Sequence, residues 1–161
     1  MHEPGRPPAI EAPGIFTGLS PRAILLGVVV DNLATLLASL VLVTSFTARQ
    51  GAGPDGELSD EALESLASSA EFLLASLVAG LACTSLGGFV GARRAGSSFA
   101  RHGGWIGVGS AVVALLLSLS SGPNPSPPPL WFELAGYLLV IPAGVLGGLL
   151  AGVRARPSGR E

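Results

Sequence analysis

The hydrophobic positions of this chain fall in four long blocks, with no regular alternation of polar ones: Ala23 to Phe46, Phe72 to Ala92, Trp105 to Leu119 and Leu130 to Val153. A hydrocarbon layer of about 30 Å takes about 20 apolar residues of helix to cross. The first, second and fourth blocks reach that length. The third reaches it when its helix runs from Gly103 to Ser121, because Gly and Ser are tolerated at membrane depth where neighbouring helices cover them. Stretches such as Ala111 to Leu119 are apolar on every face and leave no side for water. The pattern predicts an all-α membrane protein, a four-transmembrane-helix bundle, with spans at about 23–46, 72–92, 103–121 and 130–153.

The segments between and around the blocks differ in kind. Residues 1–20 are rich in Pro and Gly with no hydrophobic period, which predicts a disordered tail, and 156–161 form a second short tail around the 21–155 transmembrane domain. Residues 48–71 are acidic. Within them Ser59 suits a helix N-cap, Asp60 and Glu61 suit a first turn, and Leu63, Leu66 and Ala70 continue a helical period into Phe72. The second helix is therefore expected to start well above the membrane or to lie along its surface. Gly122 to Pro129 is short and Pro-dense, a stiff turn without a domain of its own. The first block is longer than the apolar core of a signal peptide and no small-residue cleavage pattern follows it, so it reads as a retained span.

Composition agrees with the pattern: 48% of residues are hydrophobic and 12% charged, with a mean hydropathy of +0.59. The net charge of -2 gives no ground for a nucleic-acid partner, and the partner implied is the lipid bilayer. All nine basic residues are Arg, and they sort by loop. Arg22 abuts the first block; Arg93, Arg94 and Arg101 follow the second; Arg154, Arg156 and Arg160 follow the fourth. The segment after the first block sets Arg49 against Asp55, Glu57, Asp60, Glu61 and Glu64, and Gly122 to Pro129 carries no charge. Basic segments stay in the cytoplasm, which predicts cytoplasmic N and C termini and a cytoplasmic basic cluster of Arg93, Arg94, Arg101, Arg154 and Arg156.

Leu86-Gly-Gly-Phe-Val-Gly-Ala-Arg-Arg-Ala95 aligns without gaps on Leu146-Gly-Gly-Leu-Leu-Ala-Gly-Val-Arg-Ala155. Both close an outward-to-inward helix, so the chain reads as a parallel duplication of a two-helix hairpin. Glycine at four-residue spacing, a glycine-zipper pattern, lets helix backbones approach closely where lipid offers no hydrophobic drive. Gly87 and Gly91, Gly103 and Gly107, and Gly144, Gly148 and Gly152 are the helix-packing candidates. Such faces serve packing within one bundle, a homo-oligomer or a larger membrane-protein complex equally well. Pro142 is expected to bend the fourth helix and free a carbonyl.

Asp31 is the candidate functional residue. It lies nine residues past Arg22, about 13 Å along a helix. An acid at the bilayer centre costs about 2.5–3.5 kcal/mol and calls for a buried partner or a water path. Gly27, Asp31, Thr35 and Ser39 recur every fourth position with Asn32 beside Asp31, which predicts an intramembrane polar site facing the bundle interior. It is either a proton- or ion-responsive group or a polar staple between helices. Glu71 and Glu133 fall near the outer surface, and Trp105 and the Trp131-Phe132 pair suit interfacial anchors.

No catalytic set, metal site or cofactor motif accompanies Asp31. His2 and His102 lack ligand spacing, the lone Cys83 forms no intramolecular disulfide, and no second intramembrane carboxylate completes a dyad. Gly107-Val-Gly-Ser110 has the outline of a serine nucleophile turn, but no His follows His102 to serve it. His102 itself reads as a polar residue at a helix start.

Leu86-Gly-Gly-Phe-Val-Gly-Ala-Arg-Arg-Ala-Gly96, followed by Arg101-His-Gly-Gly-Trp-Ile-Gly107, resembles a loose group of small four-helix bacterial membrane proteins of unassigned activity. In that group a Gly-Gly segment ends the second helix, a basic turn follows and a His-Gly pair opens the third. The resemblance implies a multi-pass protein of the bacterial inner membrane. With no chemistry beyond Asp31, the leading expectation is a non-enzymatic structural or assembly component. A transporter or channel component using Asp31 is the alternative, and an envelope-lipid accessory role rests on location alone.

Overall fold

The structure, a computed structural model, describes residues 18–50, 60–122 and 127–155. Among them are five helices and no strand: α1 (Pro21–Gln50), α2 (Asp60–Ser68), α3 (Ala70–Ala95), α4 (Phe99–Ser120) and α5 (Leu130–Ala155). Helices α1, α3, α4 and α5 are each long and apolar enough to cross a membrane and contain the four hydrophobic blocks. They outrun those blocks at most ends, since a helix continues past the hydrocarbon until a cap or turn stops it. For α3 the stop is Gly96, in the left-handed conformation that glycine adopts at low cost, with its N–H on the Ala92 carbonyl. Only Ser97 and Ser98 follow before α4 begins at Phe99, four residues earlier than Gly103, with Ser98 held at φ 48° and its carbonyl taking the His102 N–H.

The acidic segment does not continue into the second span as one helix. It forms the separate α2, and the chain breaks at Ser69, whose extended backbone and side-chain oxygen cap α3 through the Phe72 N–H at 3.3 Å. A serine competes with the helix for its own backbone bonds and starts a new helix as readily as it continues one. Leu66 and Leu73, at the α2–α3 corner, are both buried. Ser59, residues 1–17 and residues 156–161 lie outside the described residues, whereas Ser20, the last residue of the predicted N-terminal tail, is ordered at the start of α1.

The four spans run antiparallel in sequence, so α1 and α4 leave, and α3 and α5 return to, the end that carries Arg22, Arg93, Arg94, Arg101 and Arg154, called the basic end below. Helix α3 packs on α1 and α5, and α4 packs on α5. Helices α3 and α4 also touch across the bundle, whereas α1 and α5 make no substantial contact. Large side chains point outward, as with Leu25 at 65% exposed, Leu119 at 73% and Leu138 at 70%. A chain apolar outside and small or polar inside is arranged for lipid.

Glycines lock the basic half of the bundle. A methyl at Gly103 would fall on the Gly144 carbonyl, and one at Gly147 on the Ser85 carbonyl. In both places backbone meets backbone, so only glycine lets the helices come this close. Ile106, fully buried, fills the space that side chains at Gly27 and Gly91 would take. Ser85 adds a hydrogen bond across the α3–α5 contact, its Oγ donating to Ala143 O at 3.0 Å. Of the predicted packing glycines, Gly87 and Gly91 face α1; Gly103 and Gly107 face α5; Gly144 and Gly148 face α4; Gly152 is half-buried beside the Phe99 ring. The gapless repeat alignment does not give equivalent neighbours. It equates Gly87 with Gly147, yet Gly87 packs on the α1 of its own hairpin while Gly147 packs across on α3. Pro142 stands exposed within α5, which runs as one helix from Leu130 to Ala155.

His102 closes this half at the basic end. Its ring is fully buried, with Nδ1 3.2 Å from Ser98 O and Nε2 accepting the Ser20 N–H at 3.0 Å. This pairing puts the proton on Nδ1. Ser20 caps α1, its carbonyl taking the Ala23 and Ile24 N–H groups, and Pro21 fits the first helical position. A histidine from α4 thus satisfies the cap residue's own N–H, the task that a Glu in the first turn performs in a capping box. His102 is a tie between two helix starts.

Candidate functional site

Past the level of Asp31, Cys83, Ser110 and Ala143, none of the described residues of the four spans is buried except Leu73. The small side chains that close the basic half give way to a cavity of about 400 Å³ lined by all four spans. Asp31 forms its floor, 3% exposed. Thr35, one turn on, donates from Oγ1 to Asp31 Oδ1 at 3.4 Å. Thr84 of α3 and Ser110 of α4 bring hydroxyls toward the same carboxyl. The Thr84 hydroxyl hydrogen is taken by Gly80 O at 3.1 Å, which leaves its lone pairs free to accept. Ser110 Oγ is buried and has no hydrogen-bond partner among the described residues.

Asp31 and Thr35 face the interior together, and Asn32 lines the same cavity while its amide donates to Val28 O at 2.8 Å. Ser39 does not join them; it is exposed. The reason is helical drift. A helix turns about 100° per residue, so each four-residue step overshoots by about 40°, and three steps from Gly27 carry Ser39 about 120° off the interior face. The one hydrogen bond to the Asp31 carboxyl among the described residues comes from its own helix, at Thr35, with the Thr84 and Ser110 hydroxyls nearby on α3 and α4.

The walls were not legible from spacing. Leu77, Leu81, Ala111, Ala114 and Val140 make them apolar, and Gly80 and Gly136 keep them wide, since a methyl at either would meet nothing within 4 Å. Phe132, expected as an interfacial anchor, turns into the mouth with Tyr137, while its neighbour Trp131 meets it edge-on at 5.8 Å and stays exposed. Glu133 also stands at the mouth. Beyond it, Arg49 and Glu71 approach to 3.6 Å and Phe46 meets Phe72 edge-on at 5.4 Å, tying the ends of α1 and α3. That ion pair is exposed on both sides and adds little stability.

The basic cluster lies at the opposite end. Arg93 and Arg154 both stack on the Phe89 ring, at 5.9 and 5.5 Å, which joins the ends of α3 and α5. Arg94 and Arg101 are exposed, and Arg156 lies outside the described residues.

These features define the class: a multi-pass, all-α membrane protein whose spans are glycine-packed in one half and surround a polar-floored cavity in the other. The chain matches no known protein family, no curated protein and no solved structure.

Proposed function

We propose that the protein is a non-enzymatic membrane component that takes a small solute or ion into the Asp31 cavity, as a transporter or channel subunit does. The observation that carries this reading is the convergence of all four spans on a cavity floored by a buried acid and a buried hydroxyl with no partner among the described residues. A polar staple needs no cavity beside it, because the cheapest way to hold an acid between helices is to close the packing around it. The assembly reading loses its main support, since the glycine faces that motivated it are occupied inside the bundle. The Arg distribution supports a cytoplasmic basic end, and with it a cavity that faces out of the cytoplasm. The bacterial inner membrane is the location implied by the sequence resemblance.

Access to the cavity is the test. In a Cys83→Ala background, Ala114→Cys lines the cavity and Leu116→Cys, at 58% exposed, faces outward nearby. A membrane-impermeant thiol reagent added to sealed vesicles is expected to label Cys at 114 and spare Cys at 116, and Asp31→Asn is expected to abolish solute-dependent protection. Equal protection of both positions from either side of the membrane would sink the reading.

A further inference from the structure

The cavity's lining is chemically one-sided. Its carboxyl side chains are Asp31 at the floor and Glu133 at the mouth, and its lining contains no Arg, Lys or His. An acid at the mouth and another at the base favour a positively charged visitor along the whole path. The floor is also rich in acceptors. Thr35 spends its hydrogen on one Asp31 oxygen and Thr84 spends its hydrogen on Gly80 O, so the second carboxyl oxygen, the Thr84 lone pairs and the bondless Ser110 hydroxyl remain. Such a floor is completed by a ligand that donates several hydrogen bonds.

The walls narrow the class further. A bare alkali or divalent ion needs a tight oxygen cage to replace its water, whereas this cavity holds about 400 Å³ and presents a mostly apolar surface from Leu, Ala, Val and Gly, with Asn32 and Ser76 set among them and two aromatic rings at the mouth. That volume and character suit a compact organic molecule with one polar end. Phe132 and Tyr137 offer ring faces that attract a cation on its way in.

Resting on the solute-cavity reading above, we propose that the ligand is a small primary organic ammonium, with its three N–H groups on Asp31, Thr84 and Ser110 and its apolar body against Leu77, Leu81 and Val140. Binding is non-covalent and releases no group. The N–H donors are the specific element: a quaternary ammonium carries the same charge but leaves Ser110 and Thr84 without donors.

The test compares three probes of one shape on the full chain in lipid nanodiscs, with empty nanodiscs as the partition control: phenethylamine, its N,N,N-trimethyl analogue and 2-phenylethanol. Calorimetric titration at neutral pH is expected to give saturable binding of phenethylamine. The trimethyl analogue is expected to bind about tenfold more weakly and the alcohol about 10- to 100-fold more weakly, the usual effect of losing hydrogen bonds to a charged group. Asp31→Asn is expected to erase the preference for the amine over the alcohol, and Ser110→Ala to erase that for the primary over the quaternary amine. Equal binding of amine and alcohol, equal binding of primary and quaternary amines, or no saturable amine binding overturns the proposal. When that happens with Cys at 114 still labelled and protected by another solute, the cavity reading stands and only the ligand class falls; with Cys at 114 unlabelled, both fall.

Discussion

The two halves of this bundle use the same residue for opposite ends. In the basic half glycine removes space: Gly103, Gly144 and Gly147 exist so that one backbone can lie on another, and Ile106 fills what remains. In the far half Gly80 and Gly136 preserve space, with nothing within 4 Å of where a methyl would stand. A small residue in a membrane helix is thus no sign of close packing until its neighbour is known. The closed half supplies the rigidity against which an open half can hold an acid, because the floor at Asp31 rests directly on Gly87.

The sharpest way to break this comparison is to add one methyl group to each half. Gly144→Ala drives a side chain onto the Gly103 carbonyl, an obstacle of backbone that cannot rotate away. We expect a loss near the top of the roughly 1–3 kcal/mol that overpacking costs, seen as a lower unfolding temperature in detergent and a broadened size-exclusion peak. Gly80→Ala is expected to leave both unchanged. Equal losses would mean that the far half is as closely packed as the basic half.

Much of the fold was legible in the sequence, for reasons that are physical, but its division into a closed and an open half was not. Four helices follow from the cost of leaving backbone polar groups bare in hydrocarbon, which the block pattern of Ala23 to Val153 satisfies in only one way. Asp31 stood out because a buried acid is expensive, and Gly103, Gly107, Gly144 and Gly148 because their spacing puts them on one face. The cavity was not legible, since Gly136, Tyr137 and Phe132 line it only through the rotation of α5 about its axis, which no local pattern fixes. His102 was missed because its partner Ser20 is 82 residues away. Ser39 was misplaced by extending a four-residue spacing beyond the turn or two over which it stays on one face.

His102 gives the next largest effect and tests whether the basic half is held by polar bonds as well as by glycines. Replacing it by Leu keeps an apolar filling of similar size but removes the acceptor for the Ser20 N–H and the donor to Ser98 O. A buried donor left without a partner costs about 2 kcal/mol. Thermal unfolding is expected to fall accordingly, and amide exchange at Ser20 and Ile24 to speed up as the start of α1 frays. Unchanged exchange at those two amides would show that the glycine contacts alone hold this end.

Asp31→Asn probes the far half with a smaller expected effect on folding and a large one on function. The amide keeps the oxygen that takes the Thr35 bond and nearly the same shape. Stability is expected to move by no more than about 1 kcal/mol, while solute-dependent protection at position 114 disappears. A collapse of folding on this change would instead identify Asp31 as a structural staple and return the far half to the role of the basic one.

The smallest effect carries the opposite sign. Ser110 Oγ is buried without a hydrogen bond among the described residues, and an apolar residue there removes a polar group that folding desolvates for no return. Ser110→Ala is therefore expected to raise the unfolding temperature slightly, by the equivalent of less than about 1 kcal/mol, in the absence of ligand. Every change at the glycine contacts is expected to cost stability, whereas this one adds it, which is the signature of a position kept for binding at some expense to folding. Adding a saturating ligand is expected to reverse the order, so that the protein with Ser110 gains more than the variant does. A loss of stability in Ser110→Ala without ligand would mean that the hydroxyl already holds the helices together, and the boundary between the two halves would then lie one turn further toward the far end.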